Sequence, residues 1–219
     1  MSYLAQADLG GQLGHGSVAP DPHDPMFHAP WERRALALTL AMGATASWNI
    51  DMSRAARETV PGYADRSYYD IWITALQSLL MQRDMLHADE LLAQRSTRPA
   101  PPVQRVLRAA DVAGALAAGT PTQRNATVPA AFAVGQTVRT RAHAVPHHSR
   151  LPAYAMGRCG VIERIHGMHV WADTHAQGLG EQPQWLYSVA FDAQALWGSE
   201  ARPDVRVSID AWQPYLEPA

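Results

Sequence analysis

Apolar side chains recur at two different periods along this chain, and the change from one to the other divides it. Trp31, Ala35, Leu38 and Met42 return every three or four residues, which predicts a helix from Trp31 to about Ala44, ended by Gly43 and a run of small residues. Asp51 is the expected N-cap of a short helix from Met52 to about Val60, closed by Pro61-Gly62, with Arg54 and Glu58 one turn apart on one face. A third helix from about Ser67 lays Tyr68, Trp72, Leu76, Leu79 and Leu80 along one stripe, with Tyr69 and Ile73 beside it. His87 to Leu92 predicts one more short helix. After Phe132 the period falls to two: Phe132, Val134 and Val138, then Val161, Ile165 and Val170, then Trp185 to Phe191 and Val205 to Ile209, with turns expected at Gly135, Gly157, Gly160 and Gly167.

The expected fold class is therefore α+β. An extended arm over 1–30 leads into a helical region over 31–95. A Pro- and Ala-rich linker follows over 96–131, with one weak helix from Val106 to Ala118, and a small β-barrel of the SH3-like kind occupies 132–219. The opening Phe132-Ala133-Val134-Gly135-Gln136-Thr137-Val138-Arg139, an apolar entry, a Gly turn and an alternating strand, is how many such barrels begin. The arm, with Gly10, Gly11, Gly14 and Gly16 and then Pro20, Pro22, Pro25 and Pro30, holds too few core-forming residues to order alone; it either frays or orders on a partner. Its glycines lack the flanking strand and the spacing of a dinucleotide fingerprint.

Composition narrows the chemistry. With 47% hydrophobic and 17% charged residues, 219 residues suffice for a real core. No apolar run reaches membrane-spanning length and the first residues lack a secretory pattern, so a soluble, cytoplasmic chain is expected. A net charge of −2 argues against nucleic acid. All 18 basic residues are arginine, which removes Schiff-base chemistry and a phosphate-loop lysine. The single cysteine, Cys159, rules out a disulfide framework, an iron–sulfur cluster or a multi-thiolate metal site built by this chain alone.

Three groups of residues are candidates for function. Arg150, in His147-His148-Ser149-Arg150-Leu151-Pro152, is either a solvated loop residue or a planar fork holding two oxygen acceptors. Tyr68, Tyr69 and Trp72 are dense enough to line an apolar pocket. His166 and His169 flank Gly167 without further ligands nearby and are expected to be solvated turn residues.

Taken together, Phe27-His28-Ala29-Pro30-Trp31-Glu32, Asp51-Met52-Ser53-Arg54, Ser67-Tyr68-Tyr69, His148-Ser149-Arg150-Leu151-Pro152, Gly160-Val161-Ile162-Glu163, Gly178 to Gln184, Leu186 to Phe191, Ala195-Leu196-Trp197-Gly198 and Ile209 to Ala219 resemble the β subunit of nitrile hydratase, in the family's order and over nearly the whole chain. The resemblance implies an αβ heterodimer, sometimes α2β2, that hydrates small-molecule nitriles to amides. A non-corrin cobalt(III) or, as the less favoured choice, a non-haem iron(III) would sit in a cysteine-rich loop of the α subunit, two of whose thiolates are oxidised; this chain would bind no metal itself. Arg54 and Arg150 match the two family arginines whose forks reach those sulfur oxygens, and Ile50, Ser53, Tyr68, Tyr69 and Trp72 would line the nitrile pocket. Arg57 and Arg141, their neighbours, carry no assigned role. Departures are the longer N-terminal opening, Met156 in place of a common arginine, and Ser53 in place of a large aromatic, which would widen the pocket for bulkier nitriles. Rival readings are a thiocyanate hydrolase type of subunit, whose two halves are usually separate chains, and a non-enzymatic activator or metallochaperone of the family, which generally resembles one half only.

Overall fold

The computed structural model describes residues 5–12, 14–17 and 19–219. Positions 1–4, 13 and 18 of the expected arm lie outside the described residues. The chain gathers into two compact units, one built on His15–Gly119 and the other on Thr120–Ala219 together with Asp8–Gly14.

The first unit is helical: α1 (Pro30–Gly43), α2 (Ile50–Glu58), α3 (Tyr68–Met81), α4 (Ala88–Ala93) and α5 (Val112–Ala118). Pro30 opens α1, where its missing N–H costs nothing, and the buried Glu32 carboxylate accepts from the His28 and Ala29 N–H groups that the first turn leaves over. The cap of α2 is Asn49 and not Asp51. Asn49 has extended backbone and its side-chain oxygen accepts from Met52 N at 2.9 Å, so the helix starts two residues earlier than its pattern suggests. Asp51 falls instead in the first turn, buried. The weak helix is also shorter than expected, beginning at Val112.

The buried line of α3 is rotated from the expected stripe. Ile71, Ala75 and Leu79, with Tyr69 and Leu76, are buried, whereas Tyr68 is 63% exposed and Trp72 only half-buried. The reason is the position of the neighbours. α1 and α2 both pack on α3, and Trp48 closes over Leu76 and Leu79 while Val60 covers Ile71 and Ala75. Tyr68 and part of Trp72 are thereby turned outward while Tyr69 stays buried.

The second unit is a six-stranded antiparallel sheet of β1 (Gln123–Arg124), β2 (Thr137–Thr140), β3 (Cys159–His169), β4 (Gln184–Asp192), β5 (Arg206–Trp212) and β6 (Leu216–Pro218), in the order β5-β4-β3-β2-β6, with β1 added to β3. The α+β class holds. Among the described residues β5 and β6 do not pair, so the hydrogen-bonded path stays open. Short helices α6 (Ala172–Ala176) and α7 (Ala193–Trp197) follow β3 and β4. Val138, Ile162, Tyr187, Val189, Phe191, Ala211 and Tyr215 form the centre of its core, each 1% exposed or less.

β3 runs through two of the four glycines expected to be turns. Gly160 is a close-approach position, where an added Cβ would stand 2.7 Å from Ala190 O and 2.8 Å from Val189 Cγ1. Gly167 takes a left-handed φ of 101° at a register shift against β4, a bulge rather than a turn. His166 and His169 are therefore strand residues with partners: His166 Nε2 lies 2.7 Å from Ser188 Oγ, and His169 Nδ1 3.0 Å from Thr122 Oγ1.

Candidate active site

In the helical unit an aromatic cluster gathers at the N-terminal end of α3. Phe27 stacks on Tyr69 with centroids 5.2 Å apart; Tyr68 meets Tyr69 edge to face at 5.1 Å and Trp72 at 5.4 Å. Such offset and edge contacts suit the ring quadrupoles and fix the rings against one another. The Arg57 guanidinium covers Trp72 at 4.5 Å and its Nε donates to Ser53 O at 3.1 Å, while Arg33 stands over Phe27 at 5.3 Å. Burial lowers the Arg57 pKa, yet arginine starts so high that its charge persists. Ile50 is 44% exposed, and Ser53 is buried at 8%. Arg54 presents an exposed fork from α2 and pairs with Asp51 Oδ1 at 3.3 Å, one turn back. Of the expected residues, Ile50, Ser53, Arg54, Tyr68, Tyr69 and Trp72 all belong to this unit. Phe27, Arg33 and Arg57 join them unforeseen, because ring stacking leaves no period in a sequence.

The cleft of about 460 Å³ in the same unit lies elsewhere, along Asp84–His87, Glu90, Leu91 and the 94–101 segment. Glu90, which borders it, is a structural carboxylate. It accepts from Thr97 N at 2.8 Å, His87 N at 3.1 Å and Arg98 N at 3.2 Å, and the Thr97 bond above all holds its pKa below the ordinary range.

Arg150 belongs to the sheet unit and is exposed on an irregular segment. That segment is tied down from beneath. The Tyr215 hydroxyl accepts from Arg150 N at 3.1 Å and donates to Asp173 Oδ1 in a short contact, with both Tyr215 and Asp173 fully buried. Arg141 donates to Ser149 Oγ at 2.6 Å, covers the Tyr215 ring at 4.5 Å, and lies 3.7 Å from Asp173 Oδ2. Burial raises the pKa of Asp173, opposed by the Tyr215 hydrogen bond and the Arg141 charge, and burial with the neighbouring carboxylate raises that of Tyr215. Arg57 and Arg141, expected to have no role, are thus both built into their surroundings.

Neither unit offers a metal site: among the described residues no three His, Cys, Asp or Glu side chains cluster to hold an ion, and Cys159 lies half-buried in β3. A multi-thiolate cobalt or iron centre does not fit a chain with one cysteine, and what the units present instead are exposed guanidinium groups and an aromatic cluster. No helix among the described residues is long and apolar enough to cross a membrane.

Comparison with known proteins covers both units. Residues 4–112 match the family described as nitrile hydratase beta subunit, N-terminal, and residues 121–218 the nitrile hydratase beta subunit, C-terminal. The low-molecular weight cobalt-containing nitrile hydratase subunit beta of Rhodococcus rhodochrous is 36% identical over 97% of this chain and 98% of its own length. The cobalt-containing nitrile hydratase subunit beta of Pseudonocardia thermophila is 31% identical over 96% of this chain and 94% of its own. Among solved structures, the recombinant apo-enzyme of thiocyanate hydrolase from Thiobacillus thioparus matches at a TM-score of 0.43 and 26% identity, over 52% of this chain and 99% of that one.

Proposed function

The chain belongs to the nitrile hydratase β-subunit family, and on that premise we propose that it is the β subunit of a cobalt enzyme that adds water to nitriles to give amides, active as an αβ or α2β2 complex in the cytoplasm. What carries the reading is the full-length likeness to cobalt-containing β subunits across both units. In this reading the C-terminal sheet is the small SH3-like barrel of the family; its long, bulged β3, paired with β1, β2 and β4, supports that.

The division of labour follows from the donors present. The α subunit holds the metal, cobalt(III) in preference to iron(III), and supplies Lewis-acid chemistry when loaded. This chain contributes Arg54 and Arg150, whose planar forks donate charge-assisted hydrogen bonds to the sulfur oxygens of the partner's oxidised cysteines and hold them in fixed directions. Ile50, Ser53, Tyr68, Tyr69 and Trp72 form the nitrile pocket's wall from this side, with Tyr68 and Ile50 exposed as a surface a partner must cover.

Purification alone and with its α partner tests the proposal. The single chain is expected to hold no stoichiometric metal and to hydrate no nitrile. The co-expressed complex is expected to carry cobalt, to bury an interface on the order of several thousand Å², and to hydrate nitriles while leaving thiocyanate untouched. Stoichiometric metal and activity in the lone chain, or a complex that turns over thiocyanate but no nitrile, overturns it.

A further inference from the structure

A fully buried carboxylate is a costly thing to place under a surface loop, because burial disfavours its charge and an apolar residue would fill the space more cheaply. Asp173 is such a carboxylate, on α6, and Tyr215, Arg141 and His147, which face its oxygens, all lead to the segment bearing Arg150. Its Oδ1 accepts a hydrogen bond from the Tyr215 hydroxyl, which turns a lone pair of the Tyr215 oxygen toward Arg150 N. Its Oδ2 faces the Arg141 guanidinium at 3.7 Å and His147 Nδ1 at 3.9 Å, too far for strong hydrogen bonds and close enough for attraction. Arg141 in turn donates to Ser149 Oγ, and that same oxygen accepts from Leu151 N at 3.3 Å. The residues before and after Arg150 are therefore held by the cluster as well as Arg150 itself.

We propose that Asp173 is a positioning residue: acting through Tyr215 and Arg141, it fixes the backbone from Ser149 to Leu151 and so aims the Arg150 fork. The inference rests on the role given to Arg150 above and deepens it. An ionised Asp173 accepts only, so Tyr215 must donate to it and is left free to accept from Arg150 N; an amide in its place can donate to Tyr215, removes that compulsion and leaves the hydroxyl two orientations. A fork that must hold two acceptors at once tolerates little loss of aim.

Two measurements on the αβ complex separate this from a merely structural role. In Asp173→Asn, kcat is expected to fall about tenfold with KM changed less than about twofold, the pattern of an interaction made in the transition state. In the Asp173→Asn, Arg150→Lys double variant the rate is expected to stay within about twofold of Arg150→Lys alone, since a misaimed residue has nothing left to lose once its fork is gone. Hydrogen exchange of the 148–152 peptide is expected to quicken at least about tenfold in both Asp173→Asn and Tyr215→Phe. Independent, multiplying losses in the double variant, or unchanged exchange in both single variants, overturns the positioning role. Quickened exchange with Arg150→Lys at the parent rate tells a different story: the segment is held as described but Arg150 is not at the site, and the fault lies with the functional reading.

Discussion

Each unit carries one of the two arginines proposed for the site, and the two are held by opposite means. Arg54 rides on a regular helix, its direction set by helical geometry and by an Asp51 partner three residues away. Arg150 sits on an irregular segment whose hydrogen-bond partner, Tyr215, is 65 residues on in the chain and itself rests on Asp173, another 42 residues distant. A helix orients a side chain with local information alone. A loop orients one only when the rest of the unit is folded beneath it, which is why the sheet unit has a buried polar cluster at this point. Arg57 and Arg141, the neighbours of the two, are themselves built in, one stacked on Trp72 and the other on Tyr215, so their substitution is not neutral.

The largest expected effect tests whether both arginines reach the same task. Arg54→Lys and Arg150→Lys in the complex should each assemble and keep metal while losing about a hundredfold in kcat, since an ammonium keeps the charge and loses the two-donor fork, a defect worth roughly 2–4 kcal/mol. Arg108→Lys and Arg139→Lys, both exposed, should leave the rate within about twofold. Parent rates in the first pair would remove both arginines from the site.

A smaller effect compares the packing inside one unit with that inside the other. Gly160→Ala pushes a methyl against the Ala190 carbonyl inside the sheet and should cost about 1–3 kcal/mol in denaturant unfolding. Gly114→Ala, in α5 with open space around the new methyl, should instead stabilise by about 0.5–1 kcal/mol. Equal and opposite signs from those expected would mean that the sheet is looser at β3, or the helix more crowded, than described.

The smallest effect is an acid loosening confined to the helical unit. Glu90 has its folded pKa lowered by backbone donors, so its contribution is complete above the ordinary glutamate value of 4.5 and disappears as pH falls through the lowered folded value. Protection factors of the 94–101 segment, exchange rates taken relative to the free amide at each pH, should therefore fall in acid, and Glu90→Gln should remove that fall. A dependence that survives the substitution would assign the loosening to other carboxylates.

What could be read from residues alone follows the same division. Helical spacing announces α1 and α3, period-two alternation announces β4 and β5, one cysteine excludes a multi-thiolate metal site built by this chain alone, and eighteen arginines without a lysine exclude Schiff-base chemistry. These are local or compositional properties, and a linear sequence records them directly. Arg150 and the aromatic end of α3 stood out by residue type and density, whereas Arg54, and the role expected of each, came from the resemblance of fragments spread along the chain. Which side of α3 is buried was not legible, because Ile71 and Trp72 are equally apolar and only the placement of Trp48 and Val60 decides between them. The same holds for Gly160 and Gly167, which look like turns until the neighbouring strand shows one to be a close approach and the other a bulge. Least legible was the cluster under Arg150: Arg141, Asp173 and Tyr215 have no common period or spacing, and only the folded sheet unit, by removing them from water together, makes their pairing necessary.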